Sequence, residues 1–97
     1  MRKASVDANQ SDVVAALRAI GASVALLHRV GGGVPDLLVG FRGIDGTVEV
    51  KDGDKPASER KLRATQIEWH QDWQGRPPVT VESAQEAVEE VMKWGLE

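Results

Sequence analysis

The feature that most constrains the fold is a pair of short apolar runs, Leu37-Leu38-Val39-Gly40-Phe41 and Thr47-Val48-Glu49-Val50-Lys51, separated by Arg42-Gly43-Ile44-Asp45-Gly46. Runs of this length, bounded by turn residues, predict two neighbouring strands, and the Asp45-Gly46 dipeptide is a hairpin signal. Successive strand side chains point to opposite sheet faces, so Glu49 and Lys51 emerge on one face while Val48 and Val50 go to the other. Asp36 stands at the start of the first run, directly after Pro35. If the two runs pair, Asp36 and Glu49 can hold a divalent cation between them, with the Lys51 ammonium alongside. Such a set is suited to hydrolysing a phosphodiester.

The flanking segments predict the order αβββαβα. Asn9-Gln10-Ser11-Asp12 opens a helix with Asn9 as N-cap, Asp12 at N3 near the positive end of the dipole, and Gly21 at its exit. Val13, Leu17 and Ile20 form its apolar stripe. Ser23 to His28 predicts a strand, and Arg29 to Pro35 a Gly-rich crossing. After the polar loop from Asp52 to Ala57, a helix is expected to run to about Gln74, starting at Ser58 or nearer Arg63. Leu62, Trp69 and Trp73 share one stripe of it, which points to core packing. Val79-Thr80-Val81 is a short strand. Ser83-Ala84-Gln85-Glu86 is a capping box opening a last helix that reaches about Trp94 and buries Ala84, Ala87, Val88 and Val91.

Ninety-seven residues accommodate one domain, 1–97, with little room for a second core. No apolar run approaches the length of a bilayer span, so no membrane association is expected. Arg2 and Lys3 are not followed by an apolar h-region, so no secretory signal is expected. The absence of cysteine excludes disulfides and thiolate metal sites and fits a reducing cytoplasm. Any metal must be held by oxygen ligands or by His28 and His70, neither of which has a partner at ligand spacing.

The net charge of −3 is unevenly spread. Of the 12 basic and 15 acidic residues, Glu82, Glu86, Glu89, Glu90, Glu97 and Lys93 lie at the end, leaving 11 basic and 10 acidic before them. Lys51, Lys55, Arg60, Lys61 and Arg63 concentrate positive charge just after the proposed site, which suits either phosphate contact or a solvated loop shared with Asp52, Asp54 and Glu59. Gly31-Gly32-Gly33 lacks the Lys-Ser/Thr of a P-loop and reads as a hinge. Gln66 falls on the Leu62, Trp69, Trp73 stripe, where a polar amide requires hydrogen-bond partners that an active-site edge would supply.

Taken in order, Asn9-Gln10 with Asp12, Gly33-Val34-Pro35-Asp36-Leu37-Leu38-Val39-Gly40, Glu49-Val50-Lys51 and Gln66 to Trp69 resemble the PD-(D/E)xK nuclease superfamily. Within it the chain looks like the small stand-alone VRR-NUC (virus-type replication-repair nuclease) domains of bacteriophages. The resemblance spans Asp7 to Val91. It implies a restriction-endonuclease-like α/β fold with a central mixed sheet flanked by helices. It implies that Asp36, Glu49 and the main-chain carbonyl of Val50 bind Mg²⁺ or Mn²⁺. Lys51 would orient or deprotonate the attacking water or stabilise developing negative charge, and Gln66 would position lysine, water or phosphate. Asp12 stands closest to the position where the family usually has a first-helix glutamate, and its shorter side chain favours a water-mediated role.

The expectation is therefore a metal-dependent endonuclease acting on DNA, with branched forms such as four-way (Holliday) junctions or flaps as substrates. Lys55, Arg60, Lys61 and Arg63 would contact nucleic acid. A homodimer is expected for symmetric cutting, with Met92, Trp94 and Leu96 offered as its interface, and the setting is the cytoplasm of a bacterium or phage-infected host. The competing expectation is a nucleic-acid-binding or structural protein that has the nuclease fold without turnover.

Overall fold

The computed structural model describes residues 8–96. The elements are α1 (Gln10–Ala19), β1 (Ser23–Leu26), β2 (Leu37–Phe41), β3 (Ile44–Val50), a 3-10 turn (Ala57–Glu59), α2 (Ala64–Asp72), β4 (Val79–Val81) and α3 (Ala84–Met92). The expected order αβββαβα is therefore present. The strands form one mixed sheet in the order β1-β2-β3-β4. The first three are antiparallel neighbours, and β4 joins β3 in parallel after the α2 crossover.

Alternation along the strands divides the sheet into two unlike faces. Leu37, Val39, Val48, Val50 and Val81 point to the side covered by α1 and α3, where they meet Val13, Val14, Leu17, Ala87 and Val91 in one apolar core. Burying each of the valines and leucines contributes roughly 1.5–3 kcal/mol, so this layer supplies most of the driving force. Glu49 and Lys51 point to the opposite side, where α2 lies.

The hairpin between β2 and β3 turns at Arg42-Gly43 rather than at Asp45-Gly46. Phe41 pairs with Ile44, and the two residues between them have φ of 54° and 76°. Positive φ at both central positions is the primed turn that matches strand twist. Strand β3 consequently begins at Ile44, three residues earlier than expected. Gly46 then lies inside the strand, beneath the Trp94 indole. A Cβ at Gly46 would sit 2.5 Å from Trp94 Cη2, so this glycine makes room for an aromatic ring.

Trp94 follows α3, which ends at Met92, and is only 1% exposed. It belongs to the core, with the Arg76 guanidinium 4.9 Å above its ring, and is unavailable as the interface residue it was expected to be. The Arg42 side chain closes the same corner by donating to the Met92 carbonyl at 2.8 Å. Ser83 caps α3 as expected, its Oγ accepting from the Glu86 N–H at 3.1 Å.

Two further expectations change. Asn9 precedes α1 but makes no capping bond. Its amide instead donates to the carbonyls of Lys51 (3.1 Å) and Glu82 (2.9 Å), tying the ends of β3 and β4 together. The Leu62, Trp69, Trp73 stripe is not core either. Gln66 is the one buried residue of α2, and Trp73 is 49% exposed and stacked on Trp69.

Candidate active site

Asp36, Glu49, Lys51 and Gln66 line a single cavity of about 300 Å³, together with Lys55, Ser58, Glu59, Lys61 and Arg63. Three separate pieces of local structure produce this convergence. The β2–β3 register pairs Leu37 with Val48, which brings Asp36 beside Glu49 at the same end of the two strands. Asp36 is fastened from both sides: its carbonyl accepts from Leu27 N–H at 2.7 Å, and its carboxylate Oδ2 accepts from Val50 N–H at 2.8 Å. Pro35 before it is fully buried, which fixes the chain's approach to the strand.

The third piece is α2. Gln66 is the third residue of its first turn, and its side chain reaches back so that Oε1 accepts from Arg63 N–H at 2.7 Å. The same oxygen accepts from Lys51 Nζ at 3.1 Å, while Nε2 donates to Glu49 Oε2 at 2.9 Å. Lys51 Nζ also lies 3.5 Å from Glu49 Oε2. Two donors on one side of the amide and a carboxylate on the other leave only one orientation that satisfies every partner. Gly33 lets the crossing loop pack directly on the Thr65 carbonyl of α2; its φ of +84° and this close approach both exclude a side chain.

Glu49, Lys51 and Gln66 are 2%, 7% and 4% exposed. Burying ionic groups in this way is costly unless their polar atoms are met. One is not: Glu49 Oε1 is buried with no hydrogen-bond partner among the described residues. Glu49 is raised to about 7, first by burial, then by the Asp36 charge beside it, with Lys51 opposing. Two adjacent carboxylates, one of them with an unmet inward oxygen, form a hard oxygen donor pair of the kind that suits Mg²⁺ or Mn²⁺. Among the described residues no group of three His, Cys, Asp or Glu side chains is placed to hold a metal ion, so the cavity offers this adjacent pair, with Glu59 as a further carboxylate on its wall.

Other expected residues lie elsewhere or act differently. Asp12 is exposed and lines a separate recess of about 390 Å³ with Asn9, Asp52, Asp54, Glu82 and Glu86. That recess has no basic lining residue. Lys55, Lys61 and Arg63 rim the site cavity, whereas Arg60 is held by Glu82 at 3.0 Å. His28 Nδ1 is 3.5 Å from Gln10 Nε2, within a pair outside the cavity lining.

Two groups near the site were named from the sequence only in passing, Glu59 as a loop acid and His70 as a histidine without a partner at ligand spacing. Glu59 joins the cavity from the 3-10 turn, and nothing in its local sequence distinguishes it from neighbouring surface acids. His70 is one helical turn beyond Gln66, with Nε2 buried and without a partner. Burial first, and then the nearby Lys51 charge, lower its pKa. The spacing of four residues from Gln66 was the available signal, since it places both on one helix face.

No family model, curated protein or solved structure matches this chain.

Proposed function

We propose that the protein is a divalent-metal-dependent DNA endonuclease with a restriction-endonuclease-like fold, similar to the VRR-NUC domains. The observation that carries this reading is the convergence of Asp36, Glu49, Lys51 and Gln66 on one cationic-rimmed cavity. The α/β architecture with its mixed four-stranded sheet is compatible with it.

Asp36 and Glu49 would hold Mg²⁺ or Mn²⁺, with water and substrate phosphate completing the ligand shell. The cation, when bound, polarises the phosphate and acidifies a bound water. Lys51 donates to Gln66 and is paired with Glu49, an arrangement suited to a fixed positive charge facing the phosphorus as negative charge develops. Gln66 holds that ammonium and the Glu49 carboxylate at a set separation, so neither must reorganise during reaction. Lys55, Lys61 and Arg63 line the approach of the phosphate backbone.

Branched DNA is the preferred substrate class, and symmetric cutting of a four-way junction calls for two protomers. With Trp94 in the core, Met92 and Leu96 are the apolar side chains left exposed at that corner. Sedimentation of a monomer alone at micromolar concentration would remove the dimer.

The decisive experiment incubates labelled four-way, flapped and single-stranded DNA with Mg²⁺, Mn²⁺ or EDTA. Cleavage should require the metal and fall on the order of 100-fold or more in Asp36→Ala and Lys51→Ala. Cleavage surviving either change would remove this mechanism. The second reading, a nucleic-acid-binding or structural protein without turnover, is favoured by the separation of Asp12 from the cavity. It would be supported by tight DNA binding with no cleavage in any metal.

A further inference from the structure

The α2 helix presents a feature that the proposed hydrolysis does not use. Trp69 and Trp73 stack with ring centroids 4.6 Å apart and planes inclined by 15°. Neither belongs to the core, and Trp73 is 49% exposed. Exposing an indole face forgoes the large gain that burial of this side chain normally brings.

The position of the stack relative to the cavity is set by helical register. Trp69 and Trp73 follow Gln66 by three and seven residues, which puts Gln66 and Trp69 in one row along α2 and Trp73 in line with them at the residue that caps its C-terminus. The row starts inside the cavity at Gln66, bonded to Glu49 and Lys51. At ~1.5 Å per residue it reaches Trp73 about 10 Å further on. The bond from Trp73 N–H to the Trp69 carbonyl at 3.1 Å keeps both rings on the helical path. Ten ångströms is about three nucleotides at the ~3.4 Å rise of a stacked strand. Lys61 and Arg63, just before α2, supply positive charge at the cavity end of this row.

We propose that the stacked Trp69–Trp73 pair is a platform for an unpaired nucleobase on a DNA strand whose phosphate occupies the cavity. Flat aromatic faces next to a cationic groove hold single-stranded DNA in this way, without regard to base identity. Bases within a duplex are already stacked on their neighbours and gain nothing from the platform. The site would thereby favour DNA with an unpaired segment about three nucleotides from the phosphate it engages. This inference rests on the nuclease reading and assigns a residue-level basis for its substrate class.

The test uses non-hydrolysable phosphorothioate oligonucleotides in Mg²⁺, one a flapped duplex and the other its blunt counterpart, with binding followed by anisotropy and tryptophan emission. The flapped duplex should quench the protein's fluorescence more strongly than the blunt one. Trp73→Ala should weaken flap binding about tenfold, equivalent to ~1.4 kcal/mol, and leave blunt-duplex affinity unchanged. Trp73→Phe should retain most of the flap affinity, and circular dichroism would confirm that each variant is folded. Equal quenching by both oligonucleotides, or parallel loss of affinity for both in Trp73→Ala, would overturn the platform while leaving the nuclease reading standing. A wild-type protein that binds neither oligonucleotide would overturn both.

Discussion

The side-chain amide of Gln66 donates to Glu49 Oε2 at 2.9 Å, linking a helix to a strand through two side chains that are almost fully buried. The opposite end of that amide serves Lys51 and the start of α2. Replacing Gln66 with alanine strands the Arg63 N–H and removes a partner from both buried ions. The expected cost is about 2–4 kcal/mol, from leaving buried polar groups unmet. Urea denaturation of Gln66→Ala against wild type measures it, and a change under 1 kcal/mol would show that the cluster does not hold α2.

Glu49 gives a pH dependence whose sign can be worked out. Its folded-state pKa is raised from 4.5 to about 7, so between these values the folded protein binds more protons than the unfolded chain. Stability therefore falls as pH rises through that window, by at most about 3–4 kcal/mol at ~1.4 kcal/mol per pKa unit. His70, whose pKa is lowered by burial and by Lys51, contributes the opposite slope below pH 6.5. The comparison with Glu49→Gln isolates the carboxylate: the wild type should lose stability relative to this variant between pH 5 and pH 8. Mg²⁺ should reduce that loss by favouring the ionised form. Thermal melts across pH with and without Mg²⁺ provide the readout, and identical pH profiles for wild type and Glu49→Gln would refute the assignment.

Gly46→Ala is expected to be among the most damaging small substitutions in the chain. Its methyl would enter the space of the Trp94 ring, and that ring is closed in by the core below and Arg76 above. Overpacking at a rigid aromatic costs roughly 1–3 kcal/mol. The double variant Gly46→Ala/Trp94→Leu should be less destabilised than the two single changes added together, a coupling that a double-mutant cycle in chemical denaturation would detect.

Much of the site was legible because it depends on short-range rules. Alternation placed Glu49 and Lys51 on one strand face, and pairing of the two runs brought Asp36 alongside. The anomalous amide in an apolar stripe pointed to Gln66. What was missed depends on distant partners. Asp45-Gly46 carries the stronger local turn signal, but Gly46 is claimed by Trp94, 48 positions later in the numbering. Asn9 has the right chemistry for a helix cap, and its amide is taken instead by carbonyls at the ends of β3 and β4. Helical periodicity showed that Leu62, Trp69 and Trp73 share a face, but periodicity does not reveal whether that face meets a core or solvent. Asp12 likewise has the charge expected of a first-helix acid, while the direction in which α1 presents it is set by the packing of Val13 and Leu17.

The single interior side chain of α2 has a kinetic consequence. Because Gln66 is both the helix's anchor and a member of the polar cluster, undocking the helix and dismantling the cluster are one sub-global opening event. Amide protons of residues 64–72 should exchange faster than those of β3, and ligands that neutralise the Asp36–Glu49 pair should slow that exchange. Occupancy of the cavity would then be written into the lifetime of a helix, giving the protein an ordered polar face when its charge is matched.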